Sequence, residues 1–310
     1  MRFYVGITDE SWFRQLKGQD NNENINFWKP GAATAFKVLQ EGDLFLFKLH
    51  HPNDYIVGGG FFVKYSVLPT FLAWDVFGVR NGTHTLAELY ERIRKYRGRK
   101  DESELMNIGC IVLSNPFFFE ENAWIPAPID WKLNIVQGKT YSTDSEIGRH
   151  LYDCVTDRIQ LNTVQNGIVQ DIASAGIRYG TPQIVLPRMG QRAFRVVVGD
   201  AYQRRCAITG EKSLPVLDAA HIMSFSDNGP NTVNNGLFMR TDFHALFDKG
   251  YITVDEDYTV HVSKRLHEDF DNGKEYYDYH GKKLFVIPEK KNEQPNTEFL
   301  IWHNEHVYLG

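Results

Sequence analysis

The sequence predicts an α+β protein of two domains: a small, curved and partly closed β-sheet, a connector helix, and a compact ββα unit. Three observations predict it. The first 137 residues carry short aromatic-rich runs broken by turn signals, residues 143–155 carry a cap followed by a one-sided apolar stripe, and residues 204–250 read as strand, loop, strand and helix. A chain of 310 residues is long enough for two separate cores.

The elements follow in order. RFYVGI, GDLFLFKL, YIVGGGFFVKYSV and IGCIVL are strands of the first domain. Between them Thr85 and Glu88 form a capping box, Leu86, Leu89 and Ile93 mark an apolar stripe, and Gly98 ends the helix. Thr143 with Glu146 opens the connector helix, whose Ile147, Leu151, Cys154 and Val155 share a face. Gly176, Gly180, Pro182 and Pro187 then interrupt regular structure. The domains are therefore expected at 1–137, 138–187 and 188–310. In the last of these, VLDAAHI is a strand ending at His221, a polar loop through Asn228, Gly229 and Pro230 follows, and Gly236-Leu-Phe-Met returns. Thr241 or Asp242 can cap a helix that carries His244 and stops at Gly250.

Composition narrows the function classes. Charged residues make up 24% and apolar residues 42%, as in soluble globular proteins. The start, MRFYVGITDE, meets an acid and a glycine before a long apolar run forms, so neither a signal peptide nor an anchor is expected, and the location expected is cytoplasmic. Cys110, Cys154 and Cys206 stand far apart, which argues against disulfides and structural zinc. The formal net charge of −5 counts against a nucleic-acid partner, but its distribution does not. Arg92, Lys95, Arg97 and Arg99 form one basic cluster, and Arg204 with Arg205 belongs to another; these are the expected phosphate contacts.

The ββα stretch carries residues suited to phosphodiester hydrolysis, which needs an attacking water, a base, and a cation to neutralise growing charge. His221, at the strand end, is placed for the base, because imidazole titrates nearest neutral pH. Asn235 opens the return strand and can bridge the loop and orient the histidine. His244 faces back from the helix as a metal ligand. Ala220 cannot bind metal, so Asp218, two residues earlier, is the expected second ligand, with Asp242 and Asp248 in reserve.

These residues carry a resemblance. The segment from Gln191 through AFRVVVGDAYQRRCAITGE, LDAAHI, NNGLFMRTDFHALFDKGYITV and on to WHNE at Trp302 resembles the HNH domain of bacterial restriction endonucleases. That resemblance implies His221 as general base, Asn235 as its positioner, His244 as ligand of a divalent cation, Mg2+ or Mn2+, and a 5′-phosphate product. RFYVGIT, FWKPG from Phe27 to Gly31, GDLFLFKL and IVGGGFF resemble the EVE domain of the PUA superfamily, a PUA-like curved β-barrel. Fusions of the two are modification-dependent restriction endonucleases, which implies double-stranded DNA carrying 5-methylcytosine or 5-hydroxymethylcytosine as the partner. A flipped base needs aromatic and apolar walls. Trp28, Pro30, Trp74 and Trp131 are the expected modified-base pocket, with Asn26 and Asp75 as edge readers. Two rivals stay open: an HNH nuclease acting on unmodified DNA, and a modified nucleic-acid reader with an inactive nuclease domain. One centre per chain leaves a transient homodimer on DNA open for double-strand cutting.

Overall fold

The computed structural model describes residues 1–19, 23–98, 106–165 and 190–310. Arg99 and the Gly176 to Pro187 segment lie outside the described residues. The chain divides into two compact units, Met1–Arg188 and Met189–Gly310.

The first unit contains β1 (Arg2–Thr8), α1 (Glu10–Lys17), β2 (Ile25–Lys29), β3 (Leu44–Leu49), β4 (Tyr55–Pro69), α2 (Thr70–Phe77), α3 (Leu86–Arg97), β5 (Asn107–Phe118), β6 (Ile125–Pro126), β7 (Gly138–Ser142) and α4 (Glu146–Gln165). The strands form one sheet in the order β2-β5-β4-β3-β1-β7, with β6 beside β4. β1 runs parallel to β3, and the other pairings are antiparallel. All six β3 residues are buried because the sheet is covered on both faces. Phe45, Phe47 and Leu49 pack with Trp12, Phe13 and Leu16 of α1, whereas Leu44 and Leu46 pack with Phe3, Val5 and, from α4, Leu151 and Val155.

The sheet curls strongly. Register shifts in β4 between Gly59 and Phe61 and between Phe62 and Lys64 mark bulges, which bend a strand and increase its twist. In consequence Phe27, on the edge strand β2, reaches Phe45 of β3 at a centroid distance of 4.7 Å, three strands along the sheet. The same ring would lie 3.1 Å from a Cβ on Gly6 of β1. Among the described residues no pairing joins β2 to β7, so the described path of the sheet is open.

Local signals held in part. Thr85 accepts from the Glu88 amide and Gly98 ends α3 with φ 74°, as the capping box predicts. The cap of α4 is instead Ser145, whose Oγ accepts from the Gly148 amide; Thr143 bonds the chain's amino terminus. The apolar face of α4 packs on the sheet of its own unit, with Ile147 and Cys154 beside Leu151 and Val155. The LPTFLAWDVFG stretch that carries Trp74 and Asp75 folds as α2 and buries Leu72, Ala73, Val76 and Phe77. Among the described residues no helix is long and apolar enough to cross a membrane.

The second unit contains α5 (Gln191–Ala201), β8 (Leu217–His221), β9 (Gly236–Arg240), α6 (Thr241–Asp248), β10 (Ile252–Val254), β11 (Val260–Val262), α7 (Arg265–Phe270), α8 (Lys274–Tyr277) and α9 (Thr297–His306). β8 and β9 are antiparallel, with His221 opposite Gly236 and Asp218 opposite Met239. α6 starts without a side-chain cap, contrary to the roles expected of Thr241 and Asp242, and Gly250 follows it with φ 77°. One core joins Phe194 and Val198 of α5, Leu217 and Ala220, Leu237 and Met239, Phe243 and Phe247, and Leu300 of α9. His303 seals this core from α9: its ring stacks on Phe247 at 3.8 Å, Nε2 donates to the Phe247 carbonyl, and Nδ1 accepts from the Thr253 hydroxyl.

Candidate functional site

Three elements of the second unit converge at the end of β8. His221 terminates the strand, and its ring stacks on Phe194 of α5 with centroids 3.9 Å apart and planes 8° from parallel. Room for the Phe194 ring comes from Gly236 across the ladder, where a Cβ would stand 2.9 Å from Phe194 Cζ and 2.7 Å from Val198 Cγ2. The loop adds Asn231, whose Oδ1 lies 2.7 Å from His221 Nε2. With that oxygen accepting, Nε2 carries the proton and Nδ1 keeps its lone pair. Burial holds the His221 pKa below its usual value, with the positive influence of His244 adding to the effect and Asn231 opposing it. At neutral pH such an imidazole is uncharged and able to accept a proton.

Asn235 is buried and occupied by the loop itself. Its Nδ2 donates to the carbonyls of Met223 and Pro230, and its Oδ1 accepts from the Met223 amide, all at 2.9 Å. It therefore fixes the loop that carries Asn231, and the direct hydrogen bond to His221 comes from Asn231. The expected bridging is present; the orienting of the histidine passes through a residue the sequence reading did not single out.

His244 lies on α6 between two carboxylates. Nδ1 is 3.5 Å from Asp218 Oδ2, and Nε2 is 3.3 Å from Asp248 Oδ2. Burial alone would depress its pKa, but the two carboxylates outweigh burial and raise it to about 9. Burial likewise works to raise the Asp218 pKa, and His244, Arg195 and the Ala219 amide reverse it, leaving the carboxyl below its usual range. Arg195 from α5 completes this group: its Nε is 3.3 Å from Asp218 Oδ1, and its Nη2 donates to the Leu217 carbonyl. Asp242 is turned elsewhere, bound by Arg240 through two hydrogen bonds and by the Tyr276 hydroxyl.

A carboxylate and an imidazole side by side, in a place that favours positive charge, suit a divalent cation. Among the described residues no three His, Cys, Asp or Glu side chains are grouped to hold an ion by themselves. Asp218 and His244 thus fit as a two-residue donor set whose remaining positions would fall to water and phosphate oxygens.

The expected phosphate contacts are dispersed. Arg92 is bound to Glu88 and Arg204 to Asp200, while Lys95 is exposed and Arg205 half-buried. Arg97 is tied to the carbonyls of Pro30, at 2.5 Å, and Asn107, so it clamps the loop after β2.

The first unit has a half-open cavity of about 380 Å3 where the curled sheet brings β1 and β2 together. Tyr4, Trp12, Phe27 and Trp28 supply aromatic wall, and Pro30 and Ala33 come from the loop held by Arg97. The polar end is Asp9, which accepts a short hydrogen bond from the Tyr96 hydroxyl and lies 3.3 Å from His50 Nε2. Of the four expected pocket residues, Trp28 and Pro30 line this cavity. Trp74 does not, because α2 places it half-buried on a helix, and Trp131 packs over the buried Lys48 Nζ on the other face of the sheet, 5.0 Å from ring centroid to nitrogen. The expected edge readers are also elsewhere: Asn26 is buried against Asn81 and Cys110, and Asp75 is exposed on α2.

Comparison with known proteins gives one sequence-family match and several distant structural ones. No curated protein matches the chain. Among solved structures, the ASCH protein of Zymomonas mobilis covers 49% of this chain and 94% of its own length at 8% identity, with a TM-score of 0.32. The modification-dependent restriction endonuclease TagI covers 98% of this chain and 81% of its own, at 11% identity and a TM-score of 0.29. The type IV phosphorothioation-dependent restriction endonuclease ScoMcrA covers 78% of this chain and 52% of its own, at 14% identity and a TM-score of 0.17. The sequence profile described as HNH endonuclease matches residues 206–255. That segment holds Asp218, His221, Asn235 and His244, so the chain contains an HNH endonuclease domain.

Proposed function

We propose that the chain is a modification-dependent restriction endonuclease of double-stranded DNA, in which the second unit cuts and the first, a PUA-like reader, selects a flipped 5-methylcytosine or 5-hydroxymethylcytosine. The observation that carries the cutting half is the unlike pair of histidines at one strand end: His221 beside Phe194 and Asn231, His244 between carboxylates.

In the proposed reaction His221 Nδ1 takes a proton from water as the water oxygen attacks phosphorus. The bond from phosphorus to the 3′ oxygen breaks, that oxygen takes a proton from solvent to leave as a 3′-hydroxyl, and the other end keeps a 5′-phosphate. Phe194 and Asn231 hold the imidazole plane and tautomer through the transfer, and Asn235 fixes the loop that positions Asn231. Asp218 and His244 would hold the divalent cation, Mg2+ or Mn2+, which supplies positive charge to the phosphate and the leaving oxygen. Arg195 holds the Asp218 carboxylate in place.

The cavity of the first unit supports the reading half. Its aromatic wall suits a stacked base, and the Asp9 carboxylate suits the exocyclic amine of cytosine, a pairing that carboxylates make with that group. One methyl group in an apolar wall gives discrimination of about 10- to 100-fold.

Plasmid digestion with Mg2+ tests both halves. DNA from a cytosine-methylating host is expected to be cut, its unmethylated counterpart to survive, and His221→Ala to bind methylated DNA in a gel shift without cutting it. Cleavage by His221→Ala would remove the base assignment, and equal cutting of the two plasmids would remove the modified base as substrate.

A further inference from the structure

The connection between β6 and β7 presents apolar side chains to water beside the cavity. Ile129 is 95% exposed, Leu133 77% and Val136 76%. Scattered apolar residues are ordinary on surfaces, but these three lie within eight consecutive positions, and Val136 also lines the cavity. The loop is anchored. Asp130 is held by Lys139 and by the Tyr141 hydroxyl, and Trp131 packs over Lys48. The Trp131 amide donates to the Pro128 carbonyl, the Ile135 amide to Lys132, and the Ile7 amide to Gln137 at the loop's end. An anchored segment with outward apolar tips keeps a shape that serves another surface. Lys132, exposed between Ile129 and Leu133, adds a positive charge at the same tip.

We infer that residues 129–136 form the wedge that enters the DNA stack when a base is drawn into the neighbouring cavity. The inference rests on the base-reading proposal and adds its missing half. Extruding a base leaves a gap in the duplex, and apolar side chains pushed between base steps fill such gaps and hold the helix open. Ile129 and Leu133 have the size and exposure for that role, Val136 joins the wedge to the cavity rim, and Lys132 can meet the flanking phosphate.

The test uses the full chain with His221→Ala to prevent cutting, and measures binding to one oligonucleotide sequence containing a single 5-methylcytosine in three forms. These are a paired duplex, a duplex with an abasic site opposite the methylated base, and a single strand. An Ile129→Ser, Leu133→Ser variant is expected to bind the paired duplex at least tenfold more weakly and the single strand within twofold of the parent, because only a duplex has a stack for the wedge to enter. The duplex with the abasic site, with no base pair to open but a gap to fill, is expected to fall between them. Equal weakening on all three, or none on the paired duplex, overturns the wedge. Ala33→Trp, which fills the cavity from an exposed position, is expected to erase preference for 5-methylcytosine over cytosine in the single strand. If preference survives that change, the base-reading proposal fails and takes the wedge with it. A paired-duplex affinity unaffected by the serine changes, together with a lost preference in Ala33→Trp, overturns the wedge alone.

Discussion

Replacing Asn235 by alanine removes three hydrogen bonds at a site closed to solvent, those from Nδ2 to the Met223 and Pro230 carbonyls and that from the Met223 amide to Oδ1. At roughly 1 kcal/mol net for each bond the expected loss is about 3 kcal/mol. Asn235→Asp separates the components. One oxygen keeps the bond from the Met223 amide, but the other stands against two carbonyl oxygens and can bond only as a protonated acid. Its folded-state pKa is therefore raised above the ordinary carboxylate value of about 3.9. The sign follows: the unfolded acid gives up its proton first, so the aspartate variant weakens as pH rises above that value and through the folded pKa. Urea unfolding at pH 8 and pH 5.5, with hydrogen exchange at the Met223 amide as a local probe, is expected to find the aspartate variant below the alanine variant at pH 8 and nearer to it at pH 5.5. Cleavage under conditions where alanine at 235 is still folded should fall on the order of 10²-fold, the effect of a displaced loop on a catalytic geometry. An alanine variant with stability within 0.5 kcal/mol of the parent, a threshold of about half of one such bond, would refute the scaffold role. If cleavage nevertheless disappeared, Asn235 would have to act on the substrate directly.

Two further outcomes follow from single side chains. Arg97→Lys keeps the charge but cannot reproduce the fork that grips the Pro30 and Asn107 carbonyls, so binding of methylated DNA should weaken while its dependence on salt keeps the same slope. A slope reduced by about 1 would instead make Arg97 a phosphate ligand. His303 is buried with a pKa pushed down to about 4, and its Nδ1 can accept from Thr253 only while unprotonated. Relative to about 6.5 in the unfolded chain, it stabilises the second unit above that pH, and roughly 3 kcal/mol is lost as pH falls from there towards 4. Thermal unfolding of His303→Gln should depend less steeply on pH across that window, and an unchanged dependence would exclude His303 as its source.

The parts of the fold that were legible carried strong local signals. β1, β3, β4 and β5 were visible because long aromatic and β-branched runs, buried on both faces, leave few alternatives. α2 was hidden for the opposite reason: TFLAWDVF is apolar on nearly every side, and a helix without a polar face has no period to detect. In the nuclease segment, His221 and His244 could be placed from their order along strand and helix, and Asp218 as the nearest carboxylate upstream of His221 in the same strand. Asn231 could not, since NGPN is an ordinary turn composition until the loop folds back on His221. Phe194 and Arg195 meet the site from a helix more than twenty residues upstream, a contact that no local pattern encodes. The cavity was least legible. Asp9, His50 and Tyr96 come from separate segments, and only the curl of the sheet brings them to Trp28 and Pro30.

The two histidines also argue against an exchange of roles. They are chemically identical, and both are largely withdrawn from solvent, so their difference must come from what each one faces. His221 meets an aromatic ring and an amide, neither of which carries a negative charge, whereas His244 meets two carboxylates. A base that must be empty before it acts belongs in the first environment, and a ligand beside a cation belongs with the second. Moving the base role to His244 would take it from the Asp218 carboxylate with which it can share a cation, and moving the ligand role to His221 would put a cation against Phe194. In the proposed reaction the division of roles thus rests on Phe194, Asn231, Asp218 and Asp248 at least as much as on the histidines themselves.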